Sequence, residues 1–221
     1  INLIQKKYPG ERFDSKAPTF ALTYQGTWKT LVKNCGFTEE FAKQIEERYH
    51  ILYAVSDKWV QDRLDQARLD GYVTVAFGLR LRTPLLAQVK PGAKLSSMAA
   101  AEGRTAGNAM GQSYGLLNSR SGMAFNKQVR ASKWRLDIKP CSQIHDAQYF
   151  LVRDDADLLA WMNIHLVKEV QWQELPEIQH DEVKLGGELS IYYPSWAKEL
   201  TIPNGADVSK ILSLAQEHIK P

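Results

Sequence analysis

Cysteine is scarce in this 221-residue chain: Cys35 and Cys141 are the only two, far apart and outside any C-x-x-C or Cys/His ligand spacing. That excludes a disulfide framework and a cysteine-based structural zinc site, and it makes a reducing compartment the default. Charge of one sign is scarce as well. Lys and Arg number 28 against 25 Asp and Glu, a net +3, so composition does not by itself demonstrate nucleic-acid binding, although a balanced protein can still gather its cations along one channel. No apolar run is long enough to span a bilayer, and the N-terminus lacks a charged start followed by a hydrophobic signal core. The chain reads as soluble and intracellular, with no membrane partner. His50, His165, His180 and His218 have no metal-ligand spacing, and ordinary core or surface roles are expected for them. Repeats and low-complexity tracts are missing too. The 44% apolar content allows a sizeable core in one large domain or two smaller ones.

What is present is patterned. Arg12, Lys16, Phe20 and Tyr24 recur every four residues in ERFDSKAPTFALTYQGT, which lines two cations and two rings along one helical face. Arg grips phosphate oxygens with a planar fork, Lys acts as a point charge, and rings pack against sugar and base, so the stripe suits a nucleoside triphosphate. A solvated face above a core explains the same spacing without a ligand. Tyr8-Pro9-Gly10 is a turn signal that places a helix start near Glu11. Pro18 removes an amide donor inside that helix, which predicts a kink or a later start near Asp14 that would take Arg12 off the face.

Further along, Thr38 to Tyr53 and Ser56 to Leu69 have the mixture of apolar and charged residues expected of amphipathic helices, the second stopped by Gly71. Tyr72 to Phe77 and Leu79 to Leu86 read as short strands about Gly78, with Pro84 placing the second near an edge. Lys90-Pro91-Gly92 breaks the chain before a long helix from about Ser96 to Leu117. On it, Arg104, Asn108 and Gln112 recur every four residues, as do Gly103, Gly107, Gly111 and Gly115. The glycines lower helix propensity and leave a groove for a neighbouring backbone or a nucleic-acid strand, or for tight helix packing. Arg120 to Arg135 is basic, as a solvated helix or as a phosphate-facing surface. Pro140 to Phe150 predicts a hairpin with His145 and Asp146 at its turn; an Asp there can stabilise the turn or reach a divalent metal. Asp155 is a cap for a helix from about Ala156 to Val170 that faces Leu159, Met162 and Leu166 inward. Glu188 to Tyr193 alternates like a strand, and Val208 to Ile219 reads as a final amphipathic helix.

Taken in chain order, the Arg-x-x-x-Lys-x-x-x-Phe-x-x-x-Tyr stripe, the Arg-Asn-Gln helix and the His-Asp hairpin resemble the family A, DNA polymerase I-like, DNA polymerases. The resemblance runs from Arg12 to about Trp196 and implies an α+β fold: a helical fingers subdomain over 1–95, the C-terminal part of a palm over 96–199 with its catalytic β-hairpin, and a C-terminal tail over 200–221. The activity it implies is DNA-directed DNA synthesis, in which deoxynucleotides join a primer 3′ end by two-metal phosphoryl transfer with Mg²⁺. Arg12 and Lys16 would bind the incoming triphosphate, with Lys16 also supporting the pyrophosphate leaving group. Phe20 would pack on the sugar and Tyr24 would lie near the templating base. Arg104, Asn108 and Gln112 would contact template and primer near the minor groove, where pairing geometry is read without choosing a base. His145 would position primer backbone or the adjacent turn, and Asp146 would be a metal ligand.

Two departures from that pattern carry consequences. The family commonly has Glu after the His-Asp pair, whereas Ala147 and then Gln148 stand here. An upstream Asp-Tyr-Ser-x-Ile-Glu-like strand, which carries another metal-binding Asp in the family, does not occur, and Ile1 is an odd first residue for a translated chain. The expectation is therefore a fragment, inactive alone, that works with the remaining polymerase segment in the same or a separate chain. Its expected partners are primer-template DNA, dNTPs and a processivity partner, in the cytoplasm of a bacterial or phage-infected cell. The alternative is a non-catalytic nucleic-acid or nucleotide-binding accessory module, and a third reading is an RNA-directed or RNA-synthesising relative.

Overall fold

The computed structural model of the chain describes Gly10, residues 14–90 and residues 92–219. Contacts divide the chain into two compact units, Ile1–Tyr114 and Gly115–Pro221, each described by itself. The division falls inside the segment 96–199 that the resemblance assigns to a palm. The fold is α+β, with helices and, among the described residues, three separate two-stranded antiparallel sheets.

In the first unit, helix α1 spans Lys16–Thr23. Gly10 and Asp14 are helical as well, and residues 11–13, on which the choice between a kink and a late start depends, lie outside the described residues. Pro18 then sits in the first turn, where an amide has no intrahelical partner, so its ring does not break the helix. Helix α2, Trp28–Cys35, ends at Gly36, which adopts the left-handed φ of 71°. Helix α3, Glu39–Leu52, begins where the Thr38 hydroxyl accepts the Phe41 amide, with Glu39 and Glu40 in the first turn facing the positive end of the helix dipole. Tyr53 separates it from α4, Ala54–Asp70, and Gly71 at φ 75° turns the chain out of α4. Leu22, Leu31 and Ala42 form one small core here.

The glycine-centred hairpin is present but short. Strands β1, Tyr72–Thr74, and β2, Arg80–Arg82, pair Val73 with Leu81. Both Phe77 at φ 59° and Gly78 at φ 70° are left-handed, a turn that ends pairing early. Helix α5, Ser97–Gln112, starts at Ser96, whose hydroxyl accepts the Ala99 amide. It stops five residues before the expected Leu117. Ser113 keeps right-handed helical backbone and opens a 3-10 turn over Ser113–Gly115, and its hydroxyl donates to the Met110 carbonyl and accepts the Ala76 amide, which ties this point to the turn beyond β1. Ala67, Val73, Leu86, Ala99, Ala106 and Met110 form the second core of this unit.

The second unit contains α6, Leu116–Ala131; β3, Ile138–Ile144, paired with β4, Ala147–Val152; α7, Ala156–Val170; β5, Leu189–Tyr192, paired with β6, Glu199–Ile202; and α8, Val208–Ile219. Asp155 caps α7 by accepting the Leu158 amide, and Leu159, Met162 and Leu166 are buried, as the sequence predicts. They join Phe125, Val129, Trp134, Ile138, Leu158, Leu189, Ile202 and Ile211 in one core. Asn163, fully buried, is satisfied by donating to the Pro203 carbonyl at 3.1 Å and accepting the Gly205 amide at 2.9 Å.

In the basic segment Lys127, Arg130, Lys133 and Arg135 are exposed, which agrees with the solvated alternative, and Arg120 differs from them. Its guanidinium lies 2.6 Å from Glu169 and over the ring of Trp172, while Gln128 donates to the other Glu169 oxygen at 2.6 Å. It ties α6 to the end of α7. Among the described residues, no helix is long and apolar enough to cross a membrane.

Candidate functional site

Helix α1 exposes its stripe. Lys16 is exposed, and Phe20 and Tyr24 keep 52% and 47% of their surface. The opposite face supplies the buried Pro18 and Leu22. An apolar ring left in water at these positions is not used for the core, which removes the core-tyrosine reading of Tyr24. Arg12 lies outside the described residues. The Thr23 hydroxyl shares a 2.9 Å hydrogen bond with the Tyr49 hydroxyl, which fastens α1 to α3.

The end of α1 explains how this face is aimed. Gln25 donates its amide to the Leu22 carbonyl at 2.9 Å and Gly26 to Ala21 at 2.8 Å, the double closure of a Schellman motif. The residue that must be left-handed there is usually glycine, yet Gln25 takes it at φ 60°. Its side chain compensates. Gln25 Nε2 reaches the Arg104 carbonyl at 3.5 Å and Asn108 Oδ1 at 3.4 Å, while Asn108 Nδ2 donates to the Tyr24 carbonyl at 3.2 Å. Helix α5 therefore caps the C-terminal end of α1, and a Cβ on Gly107 would collide with the Gln25 amide. The expected groove at the glycines is real at Gly107 and is filled by this side chain; Gly111 and Gly115 face open space.

Two of the sequence constellations are thus brought together within one unit. Asn108 is half-buried at the contact, Arg104 contributes its carbonyl and keeps an exposed side chain, and Gln112 is exposed. Gln25 was not singled out from the sequence. The signal was available as Gln-Gly directly after the last residue of a helical stripe, the place where a left-handed cap is needed.

In the second unit the hairpin reads as expected. Ile144 pairs with Ala147, leaving His145 and Asp146 as a two-residue turn. His145 is left-handed at φ 51°, a conformation uncommon for a residue other than glycine. Both side chains are exposed. No hydrogen bond or ion pair within the described residues holds the Asp146 carboxylate, so its oxygens are available to a ligand. Among the described residues, no three His, Cys, Asp or Glu side chains converge on a metal position. A single carboxylate fits Mg²⁺ better than it would fit Zn²⁺ or Ca²⁺. Mg²⁺ keeps several waters and is bound through one or two carboxylates together with substrate phosphates, whereas the others require a fuller protein cage.

The likeness to known proteins follows this geometry. The chain resembles polymerase domains in fold: the POL domain of Pol1 from M. smegmatis, solved in complex with DNA primer-template and dNTP, matches with a TM-score of 0.61 and 21% sequence identity over 79% of this chain. The chain spans 28% of the length of that solved chain. No curated protein sequence matches it. The sequence profile of DNA polymerase family A matches residues 3–182, and the chain belongs to that family.

Proposed function

We propose that this chain supplies the incoming-nucleotide helix, template-primer contacts and one metal-binding carboxylate of a DNA-directed DNA polymerase. The observation that carries the reading is the exposed Lys16-Phe20-Tyr24 stripe, anchored at its end by Asn108 of the Arg104-Asn108-Gln112 helix, in a chain of this family. Residues 1–95 act as fingers, 96–199 as the C-terminal part of the palm and 200–221 as a tail. DNA primer-template and dNTP are the ligands of the solved M. smegmatis domain, and the proposal brings both classes to this chain.

The chemistry follows from charge and position. Lys16, with Arg12, neutralises triphosphate oxygens and keeps the leaving pyrophosphate from accumulating uncompensated charge. Phe20 packs on the sugar and excludes water from its face, and Tyr24 meets the nascent pair. Arg104, Asn108 and Gln112 contact template and primer where base pairs present similar acceptors. Asp146 would hold Mg²⁺. When bound, that ion supplies charge neutralisation and in-line alignment at the reacting phosphate. The second carboxylate that such chemistry needs comes from sequence outside this chain, and the chain alone is inactive.

Primer extension with Mg²⁺ and dNTPs, by this chain alone and by a longer form that includes the upstream segment, tests the reading. Extension by the longer form only is expected. DNA binding without extension by either would instead establish the accessory binding module, a reading that the single described carboxylate at the hairpin favours. The ring at Phe20 adds a substrate test: with no hydroxyl there, dideoxynucleotides should be discriminated against, and Phe20→Tyr should relax that discrimination. Equal dideoxynucleotide incorporation by both proteins would defeat this assignment.

A further inference from the structure

The turn that presents Asp146 is held from behind by residues outside the Arg104-Asn108-Gln112 and His145-Asp146 motifs. Asn118, in the first turn of α6, donates through Nδ2 to the His145 carbonyl at 3.0 Å and to the Ala147 carbonyl at 3.4 Å. Those carbonyls belong to the residues on either side of Asp146. The Asn118 amide is itself fixed. Gln148 Nε2 donates to Asn118 Oδ1 at 2.7 Å, to the Asn118 carbonyl at 2.9 Å and to the Ser121 hydroxyl at 2.7 Å. One turn along α6, Gly122 gives Gln148 its place, since a Cβ there would lie 2.9 Å from Gln148 Oε1. Gln143, on the other strand, donates to the Ser119 hydroxyl at 2.9 Å.

The arrangement answers two needs at once. A left-handed His145 strains the turn, and an exposed carboxylate without partners is free to wander unless its backbone is fixed. The Asn118 amide satisfies turn carbonyls and sets the His145–Asp146 peptide plane and, one peptide beyond Asp146, the Ala147–Gln148 plane, while leaving the carboxylate bare. A Glu in place of Ala147 would add a second acid at the tip. Here the position after His-Asp is alanine, and the next residue, Gln148, is turned toward α6.

We propose that Asn118, locked by Gln148 and Ser121, is a positioning residue for the metal-binding carboxylate of Asp146. The inference rests on the polymerase reading of Asp146. Asn118 touches neither metal nor substrate; it acts by fixing the backbone that aims the ligand. Support of this kind behind a metal ligand contributes roughly 10- to 100-fold in metal affinity or activity in general.

The test uses the polymerase in the form that extends a primer, comparing wild type with Asn118→Ala, Gln148→Ala and Asp146→Ala. Mn²⁺ binding to the primer-template complex is titrated by electron paramagnetic resonance, and kcat, dNTP KM and thermal midpoint are measured beside it. Asn118→Ala should weaken Mn²⁺ binding and lower kcat by roughly 10- to 100-fold, with DNA affinity and dNTP KM within about twofold, and Gln148→Ala should do the same to a smaller degree. A lower melting temperature with Mn²⁺ affinity and kcat unchanged would make the clamp merely structural and overturn the inference. If Asn118→Ala does not fold, Gln148→Ala, which keeps the Asn118 donor, is measured in its place: weakened Mn²⁺ binding supports the inference and unchanged binding overturns it. Asp146→Ala separates the two levels. Loss of metal binding there with none in the clamp variants defeats the inference alone, whereas full activity of Asp146→Ala defeats the polymerase reading and the inference with it.

Discussion

The end of α1 and the tip of the β3–β4 hairpin solve one problem with different strength. Each contains a non-glycine residue in the left-handed region, Gln25 at φ 60° and His145 at φ 51°, and each is held by an asparagine that donates to a backbone carbonyl. At α1 the side-chain bonds are 3.2 to 3.5 Å long. At the hairpin most are 2.7 to 3.0 Å, and Asn118 is itself gripped by Gln148. Long bonds at a helix end open at small cost, whereas the hairpin network must be broken as a unit. Under the proposed roles the lesson is functional: a helix that takes up and releases a nucleotide can be loosely capped, but a metal ligand cannot.

Substitutions at either place would break or sharpen this contrast. Around α1 the largest effect belongs to the exposed stripe. Lys16→Ala removes the proposed charge-assisted contact to the triphosphate and should lower kcat/KM for dNTPs by about 10- to 100-fold, read by steady-state primer extension, with little change in melting temperature. Next comes the loose cap. Asn108→Ala should destabilise the first unit by about 1 kcal/mol and raise amide exchange at Gly26 and Gln25, a change that leaves exchange in the hairpin unaltered. Gly107→Ala, which displaces the Gln25 amide, should reproduce the exchange pattern; equal protection at both sites in wild type would erase the contrast.

The smallest effect is a pH effect away from both sites. The hydrogen bond from Arg153, together with the Leu158 amide, holds the Asp155 carboxyl below its ordinary 3.8. A depressed folded value means that the cap on α7 contributes fully above the unfolded value near pH 4 and is lost as pH falls through the lowered one. Thermal melts should therefore show Asp155→Ala less stable than wild type at pH 7 and the gap closing in strong acid. A gap independent of pH would show that capping charge is irrelevant there.

Much of the layout was legible because its determinants are local. Asp155 as a cap, Gly71 as a stop, the inward row of Leu159, Met162 and Leu166, and the His145-Asp146 turn are each specified by a few neighbouring residues. Helix α2 and strand β6 were not anticipated, since short elements without a strong period depend on what they pack against. The tightening of α5 into a 3-10 turn at Ser113 accompanies a hydrogen bond of its hydroxyl with Ala76, a partner 37 residues away. The stripe and the exposed carboxylate were likewise readable from spacing and family resemblance. The clamps were not. Gln25 to Asn108 and Gln148 to Asn118 are separated by 83 and 30 residues, and a single sequence offers no signal for amide pairs that only tertiary packing brings within reach.

Single-turnover nucleotide addition by wild type and Asp146→Ala, with the upstream segment present and a saturating primer-template, tests most directly whether this carboxylate serves a polymerase. The variant should bind DNA as wild type does and add a nucleotide at least ~10³-fold more slowly, the several kcal/mol that a bound metal contributes to phosphoryl transfer. Addition by Asp146→Ala at the wild-type rate would contradict that role.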